Sequence, residues 1–251
     1  MQNKALQNFS DDSNTLDKKI IFVTGATDGI GKALSIQLAK SGAKVILHGR
    51  NKKKLELIYD EINKMEDCTE PSIALLDFES SAIESYSSLT NSILDNFNYL
   101  DGLVHCAGIL GDKTPIEQYN PEVWQKVMHV NLTAPFVLTQ ALLPCLKLSD
   151  NPSIIFTSSG VGKIGKPFWG AYSASKFGTE ALSQILANET KHTSLRVNCV
   201  NPGAVRTKMR LAAYPAEKKD NLKLPNEILL PYIFLLSDTS IGITGESLEA
   251  Q

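Results

Sequence analysis

Tyr172 and Lys176 stand four residues apart at the start of a predicted helix, in residues 171–176 (AYSASK). Residues at this spacing share one face of a helix, so the phenol and the ammonium point to the same side. The pKa of a free tyrosine is near 10, so acid or base catalysis at neutral pH requires this pKa to be about 3 units lower. A nearby ammonium acts in that direction, although most Tyr/Lys pairs are structural. Ser159 ends a predicted strand, where parallel sheets bind ligands, which makes all three candidates for proton transfer.

Glycines recur directly after the first predicted strand, in residues 24–31 (TGATDGIG). Glycine lets the chain turn tightly, and it lets backbone N–H groups approach a diphosphate at a helix N-terminus. The third glycine is spaced differently from the common dinucleotide fingerprint, and a turn with only a packing role is the alternative. The position between a strand and a helix favours dinucleotide binding.

The end of the second predicted strand carries cations where a carboxylate would select NAD. Such a carboxylate usually follows the glycine turn by about 20 residues and binds the ribose 2′-hydroxyl. Here residues 48–54 (HGRNKKK) contain four cations and no acid. The planar guanidinium of Arg50 fits a 2′-phosphate, and residues 52–54 add positive potential. We therefore predict NADP (NADPH) as the cofactor, against the alternative of a solvated basic start to a helix.

Apolar strands alternate with helical patterns from residue 19 onward, and these elements must position the candidate groups. Runs of branched apolar residues predict strands at 19–24, 44–47, 72–76, 102–106, 153–157 and 195–200. Helical spacing predicts helices at 31–41, 52–64, 80–96, 121–148, 171–190 and near 226–236, with a charged loop at 206–223. This alternation implies an α/β fold, a Rossmann-like doubly wound parallel sheet with helices on both faces. We expect a single domain at 19–251 after a flexible N-terminal arm at 1–18.

Composition excludes several classes of protein without selecting a function. The 251 residues carry a net charge of −2, which gives no reason to expect a nucleic-acid partner or an anionic membrane surface. The polar N-terminus lacks the apolar run of a signal peptide, and no stretch has the ~20 apolar residues of a membrane span. The four cysteines and four histidines are scattered, which argues against a metal site and favours a reduced, cytoplasmic protein.

The chain resembles the short-chain dehydrogenase/reductase family over about residues 18–248. The motifs that carry the resemblance are TGATDGIG (24–31), LLDF (75–78), HCAG (105–108), VNL (130–132), Ser159, YSASK (172–176) and NPGAVRT (201–207). Their order and spacing together are specific, whereas each motif alone is weak. Within the family the chain is most similar to YciK-type oxidoreductases, through stretches such as ILHGRNKKKL, PEVWQKVM and WGAYSASKF.

The resemblance implies hydride transfer between a nicotinamide and a carbonyl or alcohol carbon of a small substrate. Tyr172 would be the general acid/base, and Ser159 would hydrogen-bond the substrate oxygen. Lys176 would lower the pKa of the tyrosine and bind the nicotinamide ribose. Asn131 would order a water linked to Lys176. Because Pro135 has no N–H, the Asn131 carbonyl would lack its helical partner, and we expect this carbonyl to hold that water.

The resemblance also implies a set of cofactor contacts. Asp77 would accept a hydrogen bond from the adenine amino group, and Thr207 would meet the nicotinamide carboxamide. The expected set is Gly25, Thr27, Asp28, Gly29, Ile30, Arg50, Asp77, Phe78, Ala107, Gly108, Tyr172, Lys176, Pro202, Gly203, Val205 and Thr207. The family usually has Asn where this chain has Cys106, which we interpret as a buried structural thiol and not a nucleophile.

The substrate is expected beneath the variable segment 209–224. Further walls of the substrate site are expected at Trp169, Ile164 and residues 109–110. Three cations lie in or near this segment: Arg206, Lys208 and Arg210. They would suit an acidic substrate such as an acyl-phosphopantetheine. The alternative is that they form a solvated surface without a role in binding. The resemblance further implies a homodimer or homotetramer built through the helices predicted at 121–148 and 171–190.

These observations leave more than one function open. The first hypothesis is an NADPH-dependent reductase of an unidentified carbonyl compound. A 3-oxoacyl-thioester-type reductase and a non-catalytic, cofactor-binding regulator are the alternatives. The complete set of Asn131, Ser159, Tyr172 and Lys176 favours an enzyme, because a regulator has no need of all four.

Overall fold

Seven strands form one parallel sheet in the part of the chain that this computed structural model describes, residues 4–12 and 14–251. They are β1 (Ile20–Thr24), β2 (Lys44–Gly49), β3 (Ser72–Leu75), β4 (Gly102–His105), β5 (Ser153–Thr157), β6 (Arg196–Asn201) and β7 (Ser247–Glu249). Their order across the sheet is β3-β2-β1-β4-β5-β6-β7. The strand order reverses between β1 and β4, and ligands of α/β sheets bind in the crevice at such a point.

Helices cover both faces of this sheet. They are α1 (Lys4–Gln7), α2 (Gly29–Lys40), α3 (Lys52–Asn63), α4 (Ile83–Phe97), α5 (Pro121–Met128), α6 (Ala134–Leu146), α7 (Gly170–Glu189), α8 (Lys208–Ala213) and α9 (Leu230–Leu236). One core lies between the sheet and α2, α3 and α9, and the other between the sheet and α4, α6 and α7. Within β1, Ile21 belongs to the first core and Phe22 to the second. The fold is therefore the doubly wound α/β architecture that the sequence predicts.

The helix predicted at 121–148 is interrupted. It comprises α5 and α6 with a π-helical segment, His129–Thr133, between them. In this segment the Ala134 N–H donates to the carbonyl of His129, five residues back. Because Pro135 has no N–H to continue an i to i+4 ladder, the wider turn occurs where regular bonding must fail.

The segment 206–223 is not the unbroken loop that its charge pattern predicts, because it contains α8. The side chain of Thr207 caps this helix by accepting a hydrogen bond from the Arg210 N–H. Farther along, the helix expected near 226–236 begins with a 3₁₀ turn, Pro225–Ile228, before α9.

The sequence pattern does not predict β7. Three residues at the edge of a sheet provide no apolar run, and β7 forms because its backbone pairs with β6. The Ala250 N–H continues this pairing by donating to the Asn201 carbonyl. The Gln251 side chain then donates to the Pro202 carbonyl at 2.6 Å.

The described part of the N-terminal arm packs on the domain. Leu16 is fully buried, and the ring centroids of Phe9 and Phe234 lie 5.3 Å apart. The Asp11 carboxylate accepts hydrogen bonds from Gln37 and Ser41. The arm expected to be flexible at 1–18 therefore contacts α2 and α9 at these residues, and positions 1–3 and 13 lie outside the described residues.

None of the helices in residues 4–12 and 14–251 combines the length and apolar character needed to cross a membrane.

Candidate active site

A cavity of about 590 Å³ opens at the carboxyl ends of the strands. All of the cofactor contacts expected from the sequence line it, as do Ser159, Tyr172 and Lys176. Apart from Tyr172 and Lys176, which lie on α7, these residues follow six different strands, and the parallel sheet brings the segments after those strands to one edge. Asn131 does not line the cavity, although its neighbour Val130 does.

The glycine turn forms one wall because its backbone packs too closely for side chains. Gly25 has a φ of +68°, and a Cβ there would lie 2.9 Å from the Ala107 Cα. A Cβ on Gly31 would lie 2.3 Å from the Gly25 carbonyl oxygen. The wall is thus bare backbone at a strand–helix junction, which fits a diphosphate.

The N-terminus of α2 faces this cavity. Asp28 caps the helix by accepting from the Gly29 N–H, and the first helical bond runs from the Lys32 N–H to the Asp28 carbonyl. The N–H groups of Ile30 and Gly31 precede that bond and have no partner within the helix. The Asp28 carboxylate pairs with Lys208 at 2.8 Å, and this hydrogen bond is the main cause that lowers its pKa. Lys208 thereby neutralises the one acid beside the turn that would repel a diphosphate.

Arg50 lines the cavity at the end of β2 and is already paired. Its guanidinium lies 3.2 Å from a Glu79 oxygen, and Lys126 contacts the other oxygen of the same carboxylate at 2.6 Å. The hydrogen bond from Lys126 is the largest cause that lowers the pKa of Glu79. Asp77 accepts from the Glu79 N–H, which fixes the turn after β3. The arrangement is a local cationic site in which the Glu79 carboxylate pairs with both cations.

Tyr172 and Ser159 face each other across the reactive end of the cavity. Burial raises the pKa of Tyr172 to about 12, and a hydrogen bond with Ser159 opposes that rise. The sequence argument expects Lys176 to favour the tyrosine anion, but the lysine is not among the causes of this shift. The protein residues alone therefore keep Tyr172 protonated at neutral pH.

Lys176 is a buried cation, with 6% of its surface exposed. Its Nζ donates to the Thr157 carbonyl at 2.6 Å and lies 5.8 Å from the centroid of the Tyr172 ring. Burial lowers the pKa of Lys176 to about 8, while Cys199, Cys106 and Glu180 act in the opposite direction. A lysine with this pKa keeps most of its charge at neutral pH and loses it in mild alkali.

Both polar atoms of the Asn131 side chain form hydrogen bonds to neighbouring segments of the active site. Its Oδ1 accepts from the Ile109 N–H at 2.8 Å, and its Nδ2 donates to the Ile109 carbonyl at 2.9 Å. The same Nδ2 donates to the Ser175 hydroxyl at 3.1 Å. The side chain thus ties the loop after β4 to α7. A water-holding role for Asn131 would fall to its carbonyl in the π-helical segment, and that role stays a prediction.

Cys106 has the character of a structural thiol. Burial raises its pKa to about 11, and its sulfur accepts a hydrogen bond from the Thr157 hydroxyl at 3.5 Å. A thiol held neutral in this way is a poor nucleophile at neutral pH.

The substrate end of the cavity has aromatic and aliphatic walls. Trp169 lines it, and the Trp169 ring centroid lies 5.6 Å from that of Tyr172 and 5.7 Å from that of Tyr214. The Lys113 ammonium lies 4.2 Å from the Trp169 centroid and 4.4 Å from the Tyr214 centroid. Ile109, Leu110, Met209 and Ala213 complete this wall. Ile164, which the sequence places in the wall, is 69% exposed and does not line the cavity.

The three cations that the sequence analysis associates with an acidic substrate, Arg206, Lys208 and Arg210, each have a partner within the chain. Arg210 forms two hydrogen bonds with Glu217, and its Cζ lies 4.1 Å from the centroid of the Tyr214 ring. Arg206 is 4.0 Å from Asp220, and Lys208 pairs with Asp28 as described. This pairing favours the solvated-surface interpretation of these cations over selection of an acidic substrate.

Some lining residues lie outside the expected set of catalytic and cofactor-contact residues, namely Gly31, His48, Gly49, Asn51, Lys54, Leu76, Val130, Thr157, Ser158 and Lys208, although Gly31, Lys54 and Lys208 belong to segments that the sequence analysis singles out. Most of them lie at or just after the carboxyl ends of strands, and that position is a signal that could have found them. Lys113 and Tyr214 carry no such signal, because chain packing alone brings them to Trp169. In the described ranges no group of three His, Cys, Asp or Glu residues could hold a metal ion.

Comparison with known proteins gives concordant matches. The family model for short chain dehydrogenases matches residues 19–218. The chain is 48% identical over 236 residues to a protein of Escherichia coli (strain K12) named Uncharacterized oxidoreductase YciK, with 94% of this chain and 93% of that protein covered.

Two similar solved structures contain a nucleotide. A short chain dehydrogenase from Shigella flexneri 2a strain 301, complexed with NADP, matches with a TM-score of 0.92 and 46% identity, covering 96% of this chain and 100% of that one. A short chain dehydrogenase from Escherichia coli CFT073, complexed with NADPH, matches with a TM-score of 0.93 and 46% identity, covering 96% and 99%.

Proposed function

This chain belongs to the short-chain dehydrogenase/reductase family, and we propose that it is an NADP(H)-dependent oxidoreductase that acts on a small carbonyl or alcohol substrate. The observation that carries the proposal is the single cavity in which the glycine turn, Arg50, Ser159, Tyr172 and Lys176 all meet. The NADP and NADPH complexes of two similar proteins support the choice of cofactor.

The residues of the cavity fit this cofactor. The bare backbone of the glycine turn and the N–H groups at the start of α2 suit the diphosphate. Arg50 would bind the 2′-phosphate, and Asp77 and Phe78 would contact the adenosine end; all three line the cavity. Pro202, Val205 and Thr207 would hold the nicotinamide end. When bound, the cofactor supplies or accepts the hydride.

The protein's own side chains supply the proton for the substrate oxygen and orient that oxygen. In carbonyl reduction Tyr172 donates its phenolic proton to the substrate oxygen, because its raised pKa keeps it protonated at neutral pH. Ser159 donates a hydrogen bond to the same oxygen and holds it near the phenol. The buried ammonium of Lys176 favours the phenolate that remains after proton transfer. The apolar wall around Trp169 excludes water from this end.

The geometry supports reduction of an apolar carbonyl over the alternatives. The walls at the substrate end are aromatic and aliphatic, which favours an apolar carbonyl, and the three cations that an acidic acyl-thioester would contact, Arg206, Lys208 and Arg210, each face a carboxylate of the chain. A non-catalytic regulator would not need Tyr172 and Ser159 in contact at the reactive end of the cavity. The cytoplasmic location and the oligomeric state stay predictions.

Turnover of a panel of ketones and aldehydes, followed by NADPH oxidation, tests the proposal. We expect Tyr172→Phe to lower kcat at least ~100-fold, because the proton donor is lost while the ring that fills the wall is kept. The dissociation constant for NADPH should stay within about twofold of the wild-type value, since the phenol proton is not a main binding group. Tyr214→Phe, which changes a phenol in the same aromatic wall, is the matched control and should retain turnover. Equal turnover of the wild-type protein and Tyr172→Phe would reject the assigned mechanism.

A further inference from the structure

Glu180 is a buried carboxylate one helical turn beyond Lys176 on α7. Tyr172, Lys176 and Glu180 follow each other at intervals of four residues and therefore lie along one face of the helix. Only 9% of Glu180 is exposed. A carboxylate is costly to bury unless it is hydrogen-bonded and balanced by a nearby positive charge. The groups that compensate the burial of Glu180 must therefore lie around it.

Neutral donors hold this carboxylate in place. The hydroxyls of Ser158 and Ser247 both donate to its Oε1, the second at 2.9 Å. The thiol of Cys199 on β6 also hydrogen-bonds to the carboxylate, and the carboxylate raises the pKa of that thiol. These three donors come from the end of β5, from β7 and from β6. Since all three are neutral, none of them balances the negative charge.

The positive charge on which Glu180 acts is that of Lys176. The ammonium makes its hydrogen bond to the neutral Thr157 carbonyl, and in residues 4–12 and 14–251 it has no charged partner in direct contact. The titratable groups facing it from the packed elements are His105, Cys106, Cys199, Tyr172 and Glu180. Burial lowers the pKa of His105 to about 3, so that ring is neutral, and burial raises the pKa of both thiols and of Tyr172. Within this described set, Glu180 is the carboxylate, and it acts to raise the pKa of Lys176.

We propose that Glu180 is a positioning residue for the reaction: its carboxylate keeps the buried Lys176 charged, and through Ser158 it fixes the strand end that carries Ser159. The electrostatic part follows from two opposite charges on successive turns of one helix in a region of low dielectric. The geometric part follows from Ser158, which is bonded to Glu180 and directly precedes Ser159. The inference rests on the proposed function for the roles of Lys176 and Ser159, but the charge of Lys176 can be measured without turnover.

The decisive measurement is the titration of Lys176 in the full chain, by NMR of protein labelled at lysine Cε. Its resonance is assigned by its absence in Lys176→Met. Glu180→Gln keeps an oxygen for Ser158 and Ser247 but removes the charge. We expect the titration midpoint, near 8 in the wild-type protein, to fall by about 0.5 to 1 pH unit. An unchanged midpoint in a folded Glu180→Gln protein would overturn the electrostatic part.

Two variants separate charge from structural support. Ser247→Ala removes one hydrogen bond to the carboxylate and keeps its charge, so the Lys176 midpoint should stay within about 0.2 unit. Glu180→Asp also keeps the charge, and we expect it to recover at least half of the shift seen in Glu180→Gln. This variant serves the same purpose if Glu180→Gln does not fold. A Ser247→Ala midpoint that falls as far as that of Glu180→Gln would assign Glu180 a purely structural role.

A kinetic readout links the charge to the reaction. The alkaline limb of the kcat profile should move to lower pH in Glu180→Gln, by the same shift as the NMR midpoint, while the KM for NADPH at pH 7 changes less than about threefold. An NMR midpoint that falls while the alkaline limb stays in place would reject the link between Glu180 and catalysis. Absence of turnover with every substrate in the wild-type protein would contradict the proposed function and leave the NMR result standing.

Discussion

Arg50 lies at the end of β2, between a carboxylate of the protein and the position expected for the cofactor's 2′-phosphate. In the structure its partner is Glu79, which Lys126 also contacts. An ion pair with this much exposure contributes little to stability, so its exchange for a phosphate costs little. A guanidinium gains more from a phosphate, because two parallel hydrogen bonds can form.

Replacement of Arg50 should therefore change the choice between the two nicotinamide cofactors. We expect Arg50→Ala to weaken NADPH binding about 10- to 100-fold and to leave NADH binding within about twofold, as loss of a charge-assisted bond predicts. Isothermal titration with both nucleotides measures the ratio.

Glu79→Gln is the complementary variant, because it removes the acid that competes for Arg50. It should bind NADPH at least as tightly as the wild-type protein. Lys53→Ala, from the same basic run but outside the cavity lining, is the control and should change little. Equal loss of NADPH and NADH affinity in Arg50→Ala would contradict the assignment of the 2′-phosphate.

The glycine turn is the element whose packing most directly shapes the cavity. Gly31 lies in the first turn of α2 against the carbonyl of Gly25, so the helix can approach β1 only without a side chain there. The turn and the helix therefore form one rigid unit, and a change at Gly31 acts on the cofactor through backbone position.

Gly31→Ala should displace α2 from the turn. The added carbon would lie 2.3 Å from a backbone oxygen, and we expect about 1–3 kcal/mol of destabilisation together with at least ~10-fold weaker NADPH binding. Urea unfolding and nucleotide titration measure the two effects. Gly165→Ala is the matched control, because a Cβ there meets no atom within 4 Å. Wild-type affinity in Gly31→Ala would show that the turn tolerates a side chain.

For the molecule as a whole, two buried histidines on the sheet link folding to pH. His48 stacks on Phe78 with ring centroids 4.5 Å apart, and His105 stacks on Phe156 at 4.7 Å. Burial lowers the pKa of each imidazole to about 3, whereas an unfolded histidine titrates near 6.5. Below pH 6.5 the unfolded chain binds protons that the folded chain does not, so stability falls as the pH falls towards 3.

Acid should therefore weaken the fold before the carboxylates titrate. Each histidine should remove about 2 kcal/mol of unfolding free energy between pH 7.5 and pH 5. Urea unfolding at the two pH values measures the difference, and His48→Phe, which keeps an aromatic ring in the stack, should reduce it by about 2 kcal/mol. His192→Gln, at an exposed position, should leave it unchanged. A pH dependence that is the same in His48→Phe and the wild-type protein would refute this account.

The outer faces of α6 and α7 expose apolar side chains that suit an interface between copies of the chain. Phe136, Phe177 and Ile185 are all exposed on these helices. Light scattering coupled to size exclusion should give a mass of two or four chains. Phe177→Glu should lower this mass, because a charge buried in the contact would weaken the association. Ile241→Glu, at another exposed apolar position, is the control and should keep the wild-type mass. A mass of one chain for the wild-type protein would contradict the predicted dimer or tetramer.

Features that depend on neighbours along the chain could be predicted from the amino-acid sequence. The strands from β1 to β6 and the doubly wound fold follow from periodic apolar residues, because burial on both faces demands them. Tyr172 and Lys176 share a face through their spacing, and the glycine turn and Arg50 are placed by the ends of strands. Short elements such as β7 and α8 lack such a pattern. The strand β7 forms because its backbone pairs with β6, which is distant in sequence, and α8 forms after the cap that Thr207 provides.

Which charged side chains have a partner of opposite charge depends on the packing of the whole chain. Lys208 pairs with Asp28 across 180 positions, which removes it as a free anion-binding group. Glu180 meets Ser158 and Ser247 only because β5, β7 and α7 pack together. Spacing along the chain fixes which side of an element a residue occupies. The partner on that side depends on how the whole sheet and its helices pack, because the energy of a charge pair depends on a separation and a local dielectric that the packed structure sets.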